Sequence, residues 1–268
     1  MVNHYLNPNG LCPQDVESLK VIEENHLGHF AYLPTRLGFE IREINGVTVI
    51  NCRLKSSMFN TVYGSPKSLN ISDSIEEIKS AFSGQPFAWW VPPTDYKQDV
   101  TEILLQSGLE IETNEHAMIY NAAAHILHEK KTDLKITPVM DNLSLSDFLK
   151  VLEVYDSCAN EFYNRIDRKS LNKDEKLFVG YEKGVPVTIG VLFCREDSAG
   201  IFSLITSEHS RGKGYGRDMM IFLMELSKKL GCKTITLSAS SDSGYRIYER
   251  LGFSKIGEFE CFEYSGDK

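Results

Sequence analysis

Arg211, Gly212, Lys213, Gly214, Tyr215 and Gly216 form a basic run with glycine at every second position. Ahead of it, residues 201–206 are an apolar, β-branched stretch with the character of a strand. From Tyr215 onward the apolar positions take the period of an amphipathic helix. Residues without a Cβ let backbone N–H groups approach an anion closely, and a helix N-terminus adds unpaired donors and partial positive charge. Strand, loop and helix together therefore predict a phosphate cradle. Two common phosphate motifs fail on spacing. A G-x-G-x-x-G fingerprint would need glycine where Arg217 or Met219 stands, and no G-x-x-x-x-G-K-[ST] run is present.

The string that does fit is R-x-x-G-x-G, from Arg211 to Gly216, and it resembles the pyrophosphate loop of the GNAT superfamily of N-acetyltransferases. A second segment, S-D-S-G-Y-R-I-Y-E-R-L-G-F from Ser241 to Phe253, is similar to the late helix of that superfamily, N-x-x-A-x-x-L-Y-x-x-x-G-F. It comes after a strand-like stretch at 233–238, the order the family has. The resemblance spans roughly residues 134–265.

The resemblance implies an acetyl-CoA-dependent transfer to an amine. Such a transfer needs an anchored donor, a stabilised oxyanion and a route for protons. By the family pattern, Arg211, Gly212, Lys213, Gly214, Tyr215 and Gly216 receive the pyrophosphate through backbone N–H groups. Leu204, Ile205 and Thr206 run beside the pantetheine arm, and a bulge there splays their strand from the next. Their side chains equally suit plain sheet core. Tyr248 stands where the family places a phenol that protonates the departing sulfur. A phenol near 10 is matched to a thiol at about 8.5 or above. The other reading packs its ring beside Leu251 and Phe253. Ser241 replaces the usual Asn and keeps a hydroxyl for the cofactor arm and the helix cap. Glu208, where proline is common, is a candidate base, as is His209; solvated loop side chains are the plainer reading of both. Asp156 and Glu161 are weaker candidates on the acceptor side. The competing function is a non-catalytic acyl-CoA-binding or partner-binding protein of the same fold.

Composition narrows the rest. The 268 residues are 42% hydrophobic and 10% aromatic, enough for a core in one large or two medium domains. A net charge of −8 argues against nucleic acid. The charge is uneven: residues 1–130 hold 9 Lys/Arg against 16 Asp/Glu (−7), and residues 131–268 hold 20 against 21 (−1). The acidic half would steer a cationic amine. Cysteines 12, 52, 158, 194, 232 and 261 include no C-x-x-C pair and suit reduced thiols in a cytoplasmic protein. No secretory signal or membrane-length apolar run is seen, and neither metal nor flavin is indicated. His125 and His128 lack the order of a zinc-protease motif. The acceptor and the oligomeric state are not legible.

The expected fold is α/β, with a mixed, mostly antiparallel sheet flanked by helices in each of two tandem modules, at 1–128 and 134–268. The C-terminal half reads as a strand at 134–139, a helix around 148–154 capped by Ser144 or Ser146, and a second helix or turn around 160–166. A hairpin at 176–181 and 185–195, the strand at 201–206 and a helix at 215–230 come next. That helix carries Met219, Phe222, Leu223, Leu226 and Leu230 on one face. A strand, the late helix and two short closing strands at 254–256 and 259–264 finish the module. The N-terminal half carries a weaker copy of this ending. A shift of 144 positions lays Gly108 on Gly252, Leu109 on Phe253 and Tyr120 on Tyr264. The cradle motif is absent from that copy, and Leu104 stands at the place of Tyr248. An unrelated α/β domain is the alternative. Trp89 and Trp90 read as a strand with one ring on each face.

Overall fold

The computed structural model describes residues 13–67, 70–95, 98–124, 129–166 and 173–266. His125, His128 and Cys12 lie outside them. The chain forms two compact units. The first comprises Met1–Met118, Ser238–Asp242 and Lys255–Lys268, and the second Ile119–Leu237 and Ser243–Ser254.

The first unit contains α1 (Pro13–Arg36), β1 (Glu40–Ile44), β2 (Val47–Asn51), β3 (Thr61–Tyr63), α2 (Ile71–Ala81), β4 (Phe87–Val91) and α3 (Gln98–Gln106). Most of β5 (Glu110–Asn121) and the last strand of the chain, β11 (Ser254–Tyr264), complete it. Its strands lie in the order β1-β2-β3-β4-β11-β5. Asn45 and Gly46, both at positive φ, make the tight turn between β1 and β2. β3 and β4 are parallel, and β4 meets β11 antiparallel from Tyr264 opposite Phe87 to Glu260 opposite Val91. The core packs Ile75 and Ile78 of α2, its C-cap Phe82 and Leu104 of α3 against Val49, Val62, Phe87, Trp89 and Phe262 of the sheet. Trp89 is fully buried and Trp90 half-buried, so the two rings do take opposite faces.

The second unit contains β6 (Lys135–Pro138), α4 (Asn142–Leu152), α5 (Ala159–Tyr163), β7 (Glu175–Glu182), β8 (Val185–Arg195), β9 (Ser198–Thr206), α6 (Tyr215–Lys229), β10 (Thr234–Ala239, to Leu237 in this unit) and α7 (Asp242–Arg250, from Ser243). The strand order is β10-β9-β8-β7-β6. All neighbours are antiparallel except β9 and β10, which are parallel. α4 packs on β7 and β8, and α6 on β8 and β9. Leu145, Phe148, Leu149 and Leu152 give α4 a buried stripe, each burial contributing about 1.5–3 kcal/mol.

Three expectations need correction here. The cap of α4 is Asp141, not Ser144 or Ser146. Asp141 Oδ1 accepts the Ser144 N–H at 2.8 Å, and Ser144 Oγ accepts the Asp141 N–H at 3.2 Å, a reciprocal capping box. Leu230 is exposed, because it is the C-cap at the very end of α6, where the chain leaves the helix at Gly231. The two closing strands are one, since β11 passes through Gly257 without a break. A Cβ at Gly257 would lie 2.8 Å from Leu19 and 2.9 Å from Pro93, so glycine serves close packing there.

The internal repeat survives at the level of hydrogen bonds. α3 and α7 are offset by 144 positions at both ends, and α2 and α6 begin 144 apart. In the first copy the N–H of Leu109 bonds Leu104 O at 3.1 Å, and that of Gly108 bonds Leu105 O at 3.1 Å. In the second, Phe253 bonds Tyr248 O at 3.0 Å and Gly252 bonds Glu249 O at 3.0 Å. Gly108 and Gly252 both sit at positive φ and end their helices in the same way.

Candidate functional site

The site is built on β9. From Ser198 to Gly200 this strand pairs in register with Thr234 to Thr236 of β10, and the pairing ends there. On its other edge the register with β8 slips: Val191 faces Phe202, while Ile189 faces Ile205. One residue of β8, Gly190, thus opposes two of β9, Ser203 and Leu204, and Ser203 adopts a positive φ of 46°. This is a β-bulge, which bends its strand and re-aims the residues beyond it. Burial changes at the same place: residues 198–201 are buried and 202–206 half-exposed. Leu204, Ile205 and Thr206 are therefore a strand segment with an open side rather than sheet core. Gly190 lets α6 pack close on the sheet at this point, because a Cβ there would come within 2.8 Å of Leu223 and 3.2 Å of Met219 on α6.

After β9 the chain makes a short 3-10 turn, Glu208–Ser210, and enters the glycine run. Gly212 and Gly214 take φ of 77° and 93°, values that penalise any side chain. Gly214 is the N-cap of α6, and no side chain caps the helix. The N–H of Arg211 already bonds Glu208 O at 3.2 Å, so the run of amides with no protein partner among the described residues starts at Gly212 and continues through Gly216. Gly216 brings the first turn against the strand: a Cβ on it would stand 3.0 Å from Thr206 Oγ1. Unpaired donors converging at a helix N-terminus, with no Cβ to fill the space, fit a diphosphate.

The surroundings hold this shape. Arg211 Nε donates to Thr206 O at 3.2 Å, and its Nη2 to the Tyr155 hydroxyl at 2.6 Å, so the guanidinium ties the end of β9 to the α4–α5 connection. The Tyr215 hydroxyl bonds Glu182 at the end of β7. That bond holds the Glu182 carboxyl below its usual range and pushes the Tyr215 phenol up to about 12. Lys213 Nζ lies 3.8 Å from the same carboxylate. Sequence reasoning missed Asp218. It is fully buried in the first turns of α6 and accepts the N–H groups of Lys131 (3.0 Å) and Thr132 (2.8 Å) and the Thr132 hydroxyl (2.7 Å). An acid at a position due to face the core was the available signal, since a buried carboxylate requires partners.

Of the other candidates, Tyr248 is half-exposed on α7, its ring 6.2 Å from that of Phe253. Glu208 and His209 are exposed, and only the Glu208 carbonyl has a defined task, in the 3-10 turn. Ser241 is exposed and belongs to the segment counted with the first unit. Asp156 caps the α4–α5 connection by accepting the Cys158 N–H at 2.7 Å, and Glu161 pairs with Arg165 just past the end of α5. Among the described residues no helix is long and apolar enough to cross a membrane, and no three His, Cys, Asp or Glu side chains gather as metal ligands do.

Residues 173–255 match the family model of the acetyltransferase (GNAT) domain. No curated protein matches the chain. Among solved structures, a GCN5-related N-acetyltransferase from Kribbella flavida superposes with a TM-score of 0.71 at 12% identity, over 92% of this chain and 96% of the other. A conserved protein of unknown function from Staphylococcus epidermidis gives 0.66 at 18% identity, over 86% and 96%. A tandem GNAT protein from the clavulanic acid biosynthesis pathway gives 0.51 at 9% identity, over 83% and 79%. At these identities the likeness is one of fold, and it takes in the N-terminal half as well. The bulged strand, the open glycine run and the helix behind it thus lie within the stretch, residues 173–255, that matches the acetyltransferase (GNAT) domain model, in a chain whose fold is similar to that of GNAT proteins.

Proposed function

We propose that the second unit is an N-acetyltransferase that moves an acetyl group from acetyl-CoA to a primary amine. One observation carries this reading: β9 leaves β10 after Gly200 and leads, through a 3-10 turn, to a glycine run whose amides no described residue of the protein occupies. The amides of Gly212, Lys213, Gly214, Tyr215 and Gly216 would hold the diphosphate, with Arg211 keeping the end of the strand in place. Leu204, Ile205 and Thr206 would offer their open strand edge to the pantetheine arm. Acetyl-CoA, when bound, supplies an activated thioester. Tyr248 is assigned the proton for the leaving sulfur, its neutral phenol being close in basicity to a thiolate. Ser241 is assigned to the cofactor arm, and Glu208 the proton of the amine, directly or through water. The −7 charge of residues 1–130 favours a cationic acceptor by long-range steering.

Calorimetry with acetyl-CoA, followed by thiol release across a panel of amines, tests the proposal. Binding with turnover of any amine supports it. Binding without turnover on a broad panel would favour an acyl-CoA sensor. No binding to well-folded protein would refute both.

A further inference from the structure

Away from the cradle, the second unit holds two cysteines whose side chains meet. Cys194 is the penultimate residue of β8, opposite Ala199 on β9, and its N–H bonds Asp174 O at 2.7 Å. Cys232 lies between α6 and β10, its N–H bonding Ser227 O at 3.0 Å. They approach because the start of β10 clasps the β8–β9 turn. Asp197 O accepts the Lys233 N–H at 2.6 Å, and the Lys233 ammonium lies 2.8 Å from the Asp197 carboxylate. With the backbone tied there, the Cys194 thiol donates a hydrogen bond to Cys232 sulfur. Cys232 is buried, and Cys194 is half-buried within reach of small solutes.

We propose that Cys194 and Cys232 form a site of reversible oxidation by peroxide, closing to an intramolecular disulfide. The Cys232 thiolate attacks one peroxide oxygen; the S–O bond forms, the O–O bond breaks, and hydroxide leaves. Cys194 sulfur then attacks the resulting sulfenic sulfur, forming the S–S bond while the S–O bond breaks. The departing oxygen takes the Cys194 proton and leaves as water. Two thiols give up two electrons and two protons, and one hydrogen peroxide becomes two waters. Cys232 acts first because the hydrogen bond from Cys194 holds its thiol at about 7, below the ordinary range, with Lys176 acting in the same direction and burial and Asp197 opposing. The same bond pushes the Cys194 thiol up, with Lys176 and Asp174 as its charged neighbours. Elsewhere, burial pushes the Cys261 thiol up, which makes it a poor nucleophile.

The bridge would close a covalent ring containing all of β9, the glycine run and α6. It would staple the end of that segment remote from the cradle, so cofactor binding should survive oxidation. A dithiol reductant would reopen it.

The test uses the full chain, treated with hydrogen peroxide, alkylated, digested without reduction and mapped by mass spectrometry. The expected result is one cross-linked peptide pair joining Cys194 to Cys232, lost on dithiol reduction. The melting temperature should rise by about 5 °C, reversibly. Cys194→Ser should strand Cys232 as a sulfenic acid trapped by dimedone, and Cys232→Ser should leave Cys194 unlabelled. A cross-link through Cys158 or Cys261 instead, or oxidation of other cysteines with this pair still reduced, would overturn the proposal. Both readings come from the wild-type chain and stand even if a serine variant folds poorly.

Discussion

Two helices that begin 144 positions apart, α2 in the first unit and α6 in the second, meet the same physical problem in opposite ways. Each must satisfy the orphan donors of its first turn. In α2 the chain does so itself. Asn70 is the N-cap, its side chain accepts the Asp73 N–H, and Asp73 adds a negative charge to the first turn. Ser74 turns its hydroxyl back to Asn70 O at 3.1 Å. In α6 the cap is Gly214 at positive φ with no side chain, and the amides stay open. At the place of Ser74 stands Asp218, which reaches out of the helix to Lys131 and Thr132. At the place of Tyr248 stands the fully buried Leu104. The first copy caps its helix with a side chain of its own. The second leaves donors unmet at a cost in local stability, and an anion can offset that cost.

This contrast can be broken at several points. The largest effect is expected for Asp218→Ala, which removes the buried carboxylate that holds the amides of Lys131 and Thr132. The second unit should lose about 3 kcal/mol in denaturant unfolding, and an unchanged midpoint would mean that residues 131–132 are held by something else. Gly214→Val forces a side chain into positive φ at the cap, and calorimetry should show acetyl-CoA binding about 10- to 100-fold weaker. Tyr248→Phe should cut turnover about 10- to 100-fold while leaving acetyl-CoA affinity intact. A drop in affinity alone would assign the ring to packing. Asn70→Ala should remove about 1 kcal/mol through its lost cap and leave acetyl-CoA affinity untouched, since the first copy's helix end serves only itself.

The smallest effect concerns pH in the first unit. Burial raises the Glu23 carboxyl to about 7, with Asp95 adding to the rise and hydrogen bonds from Thr94 opposing it. The folded state keeps this proton up to about pH 7, whereas the unfolded chain releases it near 4.5. The contribution is therefore full below about pH 4.5 and is lost as pH rises through about 7. Chemical denaturation across that window should show stability falling as pH rises, a decline that Glu23→Gln flattens; an identical slope in the variant would rule the residue out.

Much of this molecule is legible in local order. Alternating or continuous apolar runs mark β7, β8 and β10, and Glu182-Lys183-Gly184 marks the hairpin turn. Glycines at 212, 214 and 216 mark the loop because positive φ and close approach are demands on single residues. The period of 215–229 marks its helix, although the same period takes in Leu230, which is exposed at the helix end. The cap of α4 is not legible in the same way. Asp141, Ser144 and Ser146 all suit an N-cap, and only the backbone path chooses among them.

The sequence by itself determined the strand–cradle–helix unit, its resemblance, and the repeat offset of 144 positions, since each rests on neighbours within a few residues. Tertiary structure alone decided where β9 parts from β10, how Ser203 and Leu204 share the space opposite Gly190, and that the last strand inserts between β4 and β5 in the first unit's sheet. It also decided that Asp218 is bonded to residues 131–132 and that Cys194 meets Cys232. Register, bulges and buried pairings depend on which distant segment lies alongside, and no local pattern of residue types encodes that choice.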